Sequence, residues 1–193
     1  AAPRVVIISD NQVARFWLHR LSNALEAAKI QYRSIVIPAG EQSKSFGQFA
    51  ELLENILAQA PDRKTTILAL GGGVVGDLAG FAASVLLRGV PYIQIPTSLL
   101  AQVDSSVGGK TAINSQYGKN LIGSFHQPSL VLTDVATLGT LPARELKAGY
   151  AEMLKYGLIG DAAFFAWLEQ NGEKILAGDA AAATYGIRES CKA

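Results

Sequence analysis

The sequence has 193 residues, 49% of them hydrophobic and 17% charged, with a formal net charge of +1. That balance belongs to a soluble chain able to bury a core, not to a disordered one, and the near-zero charge gives no reason to expect nucleic acid or a membrane as partner. The single cysteine, Cys191, excludes an internal disulfide and any multi-cysteine metal site. No apolar run approaches the ~20 residues of a membrane span. No basic, long-cored leader opens the chain, so the expected location is the cytoplasm.

Strand-like and helix-like runs then alternate. RVVIISD (4–10) reads as a buried strand. Residues 12–28 place Val13, Phe16, Trp17, Leu21, Leu25 and Ala28 at helical spacing. YRSIVIP (32–38) is a second strand, and FGQFAELLENILAQA (46–60) an amphipathic helix closed by Pro61. TTILALGGG (65–73) is a third strand running into glycine. VVGDLAGFAASVLL (74–87) is a helix apolar nearly all round, hence buried. YIQIP (92–96) and SLVLTD (129–134) are the fourth and fifth strands. Short connections between alternating types predict an α/β fold, a parallel sheet covered on both faces with right-handed crossovers. Beyond DVATLGTLP the chain reads as helix throughout. A boundary is expected near 137–142, dividing 1–138 from a helical segment over 139–193.

Several stretches carry more polar chemistry than packing requires. In LGGGVVGD (70–77), Gly71, Gly73 and Gly76 fit G-x-G-x-x-G between a strand and a helix, the arrangement that lets backbone amides meet a pyrophosphate. The alternative is a tight turn. The acid that usually ends the next strand is missing from IQIPT, so this is not an ordinary Rossmann fingerprint. Asp77, expected in the first helical turn, suits either the helix dipole or a ribose hydroxyl. GEQSKS (40–45) holds Glu41 and Lys44 after a strand end and reads more readily as a solvated loop than as a set of cofactor contacts.

QVDSSVGGKTAIN (102–114) and YGKNLIG (117–123) read as a hairpin-like excursion with TAIN and NLIG as arms. A structural hairpin accounts for the glycines but not for Asp104, Lys110, Lys119 and Asn120, which suit hydroxyls and phosphate. Arg88 either caps the preceding helix or reaches a phosphate. Glu152 and Lys155, neighbours at i and i+3, are either a surface ion pair or a metal-ligating carboxylate beside an amine. The only histidines are scattered. His19 lies on a charged helix face and is expected to be solvated, whereas His126 follows the hairpin and lies near the candidate site.

GGGVVGDLAGF, RGV, QIPTSLLAQVDSSVGGKTAIN, GKNLIGSFHQP and LPARELKAGYAEMLKYGLI, in this order, closely resemble the 3-dehydroquinate synthase family of the shikimate pathway. The resemblance implies a Rossmann-like NAD-binding domain followed by the start of an all-helical domain that carries most metal ligands. It implies conversion of 3-deoxy-D-arabino-heptulosonate 7-phosphate to 3-dehydroquinate and phosphate. The cycle is oxidation at C5, phosphate loss, reduction, ring opening and aldol closure, with NAD regenerated and Zn²⁺ (or Co²⁺) polarising the substrate.

Carried over by position, the resemblance places NAD at Glu41, Lys44, Gly72, Gly73, Val74, Asp77, Thr97, Ser98, Leu100, Asp104, Lys119, Thr140, Leu141 and Glu145. Ser98 stands where many members have threonine, which keeps the hydroxyl. Asp104, Lys110, Asn120 and Lys155 match the substrate site. Arg88 matches a phosphate contact made to the neighbouring subunit of a homodimer. Glu152 matches one zinc ligand. The family's two histidine ligands match nothing here, and its first strands are absent, so the chain is expected to be a fragment that is inactive alone.

Overall fold

The computed structural model describes residues 4–192. Five parallel strands form the central sheet: β1 (Val5–Asp10), β2 (Tyr32–Ile37), β3 (Thr66–Gly71), β4 (Tyr92–Pro96) and the two-residue β7 (Leu130–Val131), in the order β2-β1-β3-β4-β7. All five expected strands are present. The last is shorter than SLVLTD suggested, because only Leu130 and Val131 stay in register with Ile93 and Gln94.

α1 (Ala14–Ala27) covers one face of the sheet, where Trp17, Leu18, Leu21 and Leu25 pack on Val5, Ile7, Leu68, Leu70 and Ile95. Phe16 belongs to the helix but not to its packing stripe and is exposed. α2 (Phe46–Leu57) and α3 (Gly73–Val85) cover the other face, against Val6, Ile8, Ile37, Ile67 and Ala69. Burial on both faces explains why the strands read as unbroken apolar runs. The chain leaves β1 through α1 on one face and reaches β3 through α2 on the other. The winding therefore reverses between β1 and β3, and the crevice outside the strands' carboxyl ends at that point is where such sheets bind ligands.

The excursion between β4 and β7 is a hairpin of β5 (Lys110–Ser115) and β6 (Gly118–Phe125), antiparallel, with a register irregularity between Ile113 and Ser115. Ile113 and Ile122 turn towards α3 and join its core. Hydroxyls pin the hairpin base, where the Ser124 hydroxyl donates to Ser84 Oγ at 2.8 Å and the Thr111 hydroxyl to the Ser124 carbonyl at 2.9 Å.

The remainder is helical as expected: α4 (Ala143–Gly160), α5 (Ala162–Leu176) and α6 (Ala180–Ser190). Asp161 and Asp179 start α5 and α6 by accepting the amides of Phe164 and Ala182, both at 2.8 Å. Met153, Phe164, Leu168, Ile175 and Ile187 form a second core, which also takes Leu99 and Val103. These two come from a segment the sequence reading left unassigned: the chain after β4 turns helical at Leu99 and passes into a π-helical turn over Ala101–Ser105. Gly149 lets α4 approach that turn, since a Cβ there would lie 2.5 Å from the Leu100 backbone nitrogen.

Candidate active site

The carboxyl edge of the sheet collects the polar residues. β3 ends at Gly71, Gly72 is the N-cap of α3, and no side chain caps the helix. The Gly76 amide bonds to the Gly72 carbonyl, which leaves the amides of Gly73 and Val74 at the helix start, facing the sheet edge. Gly73 is held close, because a Cβ there would sit 3.0 Å from Ser105 Oγ.

Asp77 lies one turn further in, not in the first turn as the sequence suggested. The helix dipole has faded by that depth and does not account for it. Its partner is Lys44, whose Nζ stands 2.5 Å from Asp77 Oδ2. The expected solvated loop at GEQSKS is instead a single 3-10 turn, Glu41–Ser43, that turns the lysine inward; the Lys44 side chain is only 4% exposed. Its ammonium also donates to Asn120 Oδ1 at the hairpin tip. Burial raises the Asp77 carboxyl above its usual range, the Lys44 bond and charge pull it back, and the negative charges of Glu41 and Asp104 push it up again.

Glu41 stands 3.6 Å from Lys119 Nζ. It also accepts the Asn114 side-chain amide at 2.9 Å. Asp77, Lys110, Ala112, Asn120, Leu121 and Phe125 line one cleft of about 360 Å³. Lys110, exposed at the start of β5, has no side-chain partner among the described residues. Thr97 and Ser98 follow β4 directly, Thr97 buried and Ser98 accepting the Ala101 amide at 3.3 Å; Leu100 is exposed beyond them.

α4 packs against the π-helical turn that carries Asp104. Tyr156 donates its hydroxyl to Asp104 Oδ1 at 3.2 Å. Burial, then the Asp104 charge, keep the phenol protonated far above the usual tyrosine range. Lys155 donates to Glu152, and that bond raises the lysine pKa. Thr140 is fixed by Trp17, whose indole N–H donates to its hydroxyl at 2.9 Å. Leu141 is half-buried beside it, and Glu145 is exposed in the first turn of α4.

Two residues stand elsewhere. Arg88 sits between α3 and β4, exposed at the amino edge of the sheet, on backbone with positive φ at Leu87, Arg88 and Gly89 (50°, 70° and 114°). His126 follows Phe125 of the cleft lining, and its backbone N–H donates to the Gly109 carbonyl at 2.8 Å, but its ring is not part of that lining. It stacks on Tyr92 and contacts the Val90 carbonyl, also towards the amino edge. His19 is exposed as expected, hydrogen-bonded to the Asn23 side chain at 3.2 Å. Asn114 and Gln102 join the polar framework without having been singled out in the sequence, and Tyr156, readable there only as a member of the Glu145–Gly149–Glu152 helix face, joins it through Asp104. Asparagine and glutamine inside otherwise apolar runs were the available signal.

The family model for the 3-dehydroquinate synthase N-terminal region matches residues 34–148, and that for the C-terminal region matches 149–193. The chain belongs to the 3-dehydroquinate synthase family. Curated 3-dehydroquinate synthases from Rhodospirillum rubrum and Zymomonas mobilis are 58% and 54% identical over 99% and 98% of this chain, and the matches cover 50% of each relative. The chain thus spans about half the length of the synthases it matches. Among solved structures, 2-epi-5-epi-valiolone synthase from Streptomyces hygroscopicus, with NAD⁺ and Zn²⁺ bound, superposes with a TM-score of 0.93 at 34% identity, covering 99% of this chain and 54% of that one. An iron-containing alcohol dehydrogenase from Thermotoga maritima shares the fold (TM-score 0.78, 17% identity, 98% of this chain and 59% of that one). Among the described residues no helix is long and apolar enough to cross a membrane.

Proposed function

We propose that this chain is the cofactor-holding portion of a 3-dehydroquinate synthase, an NAD- and zinc-dependent carbon–oxygen lyase. It would convert 3-deoxy-D-arabino-heptulosonate 7-phosphate to 3-dehydroquinate and phosphate in the cytoplasm, as a homodimer. The observation that carries the reading is the meeting at one point of two family motifs and a third segment: Asp77 from GGGVVGD and Asn120 from GKNLIG both bond to Lys44 from GEQSKS. The proposed division is 1–138 for the NAD-binding domain and 139–193 for the start of the helical domain, with Leu99 and Val103 docking the two.

The carboxyl edge suits a dinucleotide. The uncapped start of α3 offers the Gly72–Gly73–Val74 backbone to a pyrophosphate, and Asp77 offers a carboxylate to a ribose hydroxyl. Glu41, Lys44, Thr97, Ser98, Leu100, Asp104, Lys119, Thr140, Leu141 and Glu145 complete the proposed cofactor set. A bound nicotinamide would supply hydride chemistry; the protein supplies orientation. Lys110, unpaired and facing the cleft, is suited to an anionic substrate group, as is Lys155. Asn120 and Asp104 would hold substrate hydroxyls, with Asp104 kept oriented by the Tyr156 hydroxyl. Arg88, at the opposite edge, would serve the neighbouring subunit's substrate phosphate. Glu152 is proposed as a single metal ligand. Among the described residues no three His, Cys, Asp or Glu side chains gather to hold a metal, so this chain does not by itself complete that site.

The test is turnover by the natural full-length protein with two readouts, phosphate and NADH. The synthase reading expects phosphate release without net NADH, at least ~100-fold slower in Lys110→Ala because a charge-assisted contact is lost. NADH accumulating with each turnover would overturn it. The TM-score of 0.93 to a valiolone synthase favours a second reading, a cyclase for another sugar phosphate. Turnover of that enzyme class's substrate, but not of the heptulosonate phosphate, would establish it.

A further inference from the structure

Asn114 is assigned no role in the cofactor and substrate sets above, yet it touches both. It lies in β5, where the strand register breaks. Its backbone N–H donates to the Lys44 carbonyl at 2.7 Å. Its side-chain N–H₂ donates to Glu41 Oε1 at 2.9 Å, and its side-chain oxygen accepts the Asn120 backbone N–H, also at 2.9 Å. Asn120 itself is in the left-handed region, φ 57°, which a non-glycine residue holds only when its surroundings fix it. In that conformation its side chain reaches Lys44.

We propose that Asn114 is a positioning residue that locks the hairpin tip against the loop after β2, setting cofactor-side Glu41 and substrate-side Asn120 in one register. The inference rests on the functional reading above for the names of those two sides, though not for the lock itself. The two ends of the carboxamide do different jobs. The oxygen keeps Asn120 in its left-handed turn; the N–H₂ group orients Glu41. A hairpin pinned only by its Ser84, Thr111 and Ser124 hydroxyls would be fixed at its base and free at its tip.

The test compares Asn114→Ala with Asn114→Asp in the natural full-length protein. Aspartate still accepts the Asn120 amide but cannot donate to Glu41, and it places a second carboxylate beside the first. Asn114→Ala is expected to raise KM for both NAD⁺ and the sugar phosphate about tenfold, the scale of one lost polar contact, with kcat changed less. Asn114→Asp is expected to raise only the NAD⁺ value. Hydrogen exchange at the Asn120 amide should speed up in Asn114→Ala and stay slow in Asn114→Asp. Equal KM effects of the two variants, or unchanged KM values in Asn114→Ala despite faster exchange, would overturn the proposal. If the wild type turned over no sugar phosphate, the functional reading would fall. The exchange pattern and an NAD⁺ titration would still decide the lock.

Discussion

Two lysines among the candidate residues are bonded to carboxylates, and the two pairs differ in their access to water. On the sheet side the Lys44 side chain is 4% exposed and Asp77 18%; on the α4 side Lys155 is 54% exposed and Glu152 17%. The buried pair is largely out of water, and among the described residues its hydrogen-bond partners are each other and Asn120. The exposed lysine can trade its carboxylate for a water or an incoming anion at little penalty. One pair is therefore held as framework, and the other is open to exchange.

Removing the buried lysine is the strongest way to break that contrast. Lys44→Met leaves the Asp77 carboxylate enclosed without a counter-charge and should destabilise the fold by about 3 kcal/mol in urea titrations, with NAD⁺ binding lost as well. The contrast also depends on where α4 packs, and Gly149 sets its approach to Leu99 and Leu100. Gly149→Val would drive side-chain atoms into the backbone at Leu100 and should cost about 1–3 kcal/mol, read as a lowered urea midpoint.

A smaller effect sharpens the account of Asp77. Its pKa is raised in the folded protein, chiefly by burial, so its contribution to stability is fully present below the ordinary value of 3.8. That contribution drains away as pH climbs through the raised value. The urea midpoint of the wild type should therefore carry a falling component above pH 4 that Asp77→Asn lacks. An identical pH slope in the two proteins would mean the group is not desolvated. The smallest expected change is Lys155→Gln: no measurable shift in Tm, because the pair is open to solvent, but loss of turnover in the full-length protein.

Periodicity made the scaffold legible. Both faces of the sheet are buried, so its strands appear as continuous apolar runs, and the glycines after β3 mark the turn into α3. The hairpin arms were readable from their paired glycines. The turn at Leu99–Ser105 was not, because PTS looks extended and a π-helical turn lacks the spacing by which helices are recognised. Leu99 and Val103, four apart and both buried, were the surviving trace of it. Motif resemblance offered the candidate residues, but the contacts that bring Lys44, Asp77 and Asn120 together were not legible. Nothing in GEQSKS announces that Lys44 folds inward, because the partners that draw it there lie 33 and 76 residues away. Asn114 was hidden for the same reason, since its role depends on two other segments arriving beside it.

The small hydroxyl at Thr140 has a consequence of its own. Its hydrogen is spent on the Thr137 carbonyl at 3.1 Å, and one of its lone pairs is taken by the Trp17 indole. The group has been stripped of its donor and can only receive. As long as both bonds hold, a group that pairs with it brings the proton.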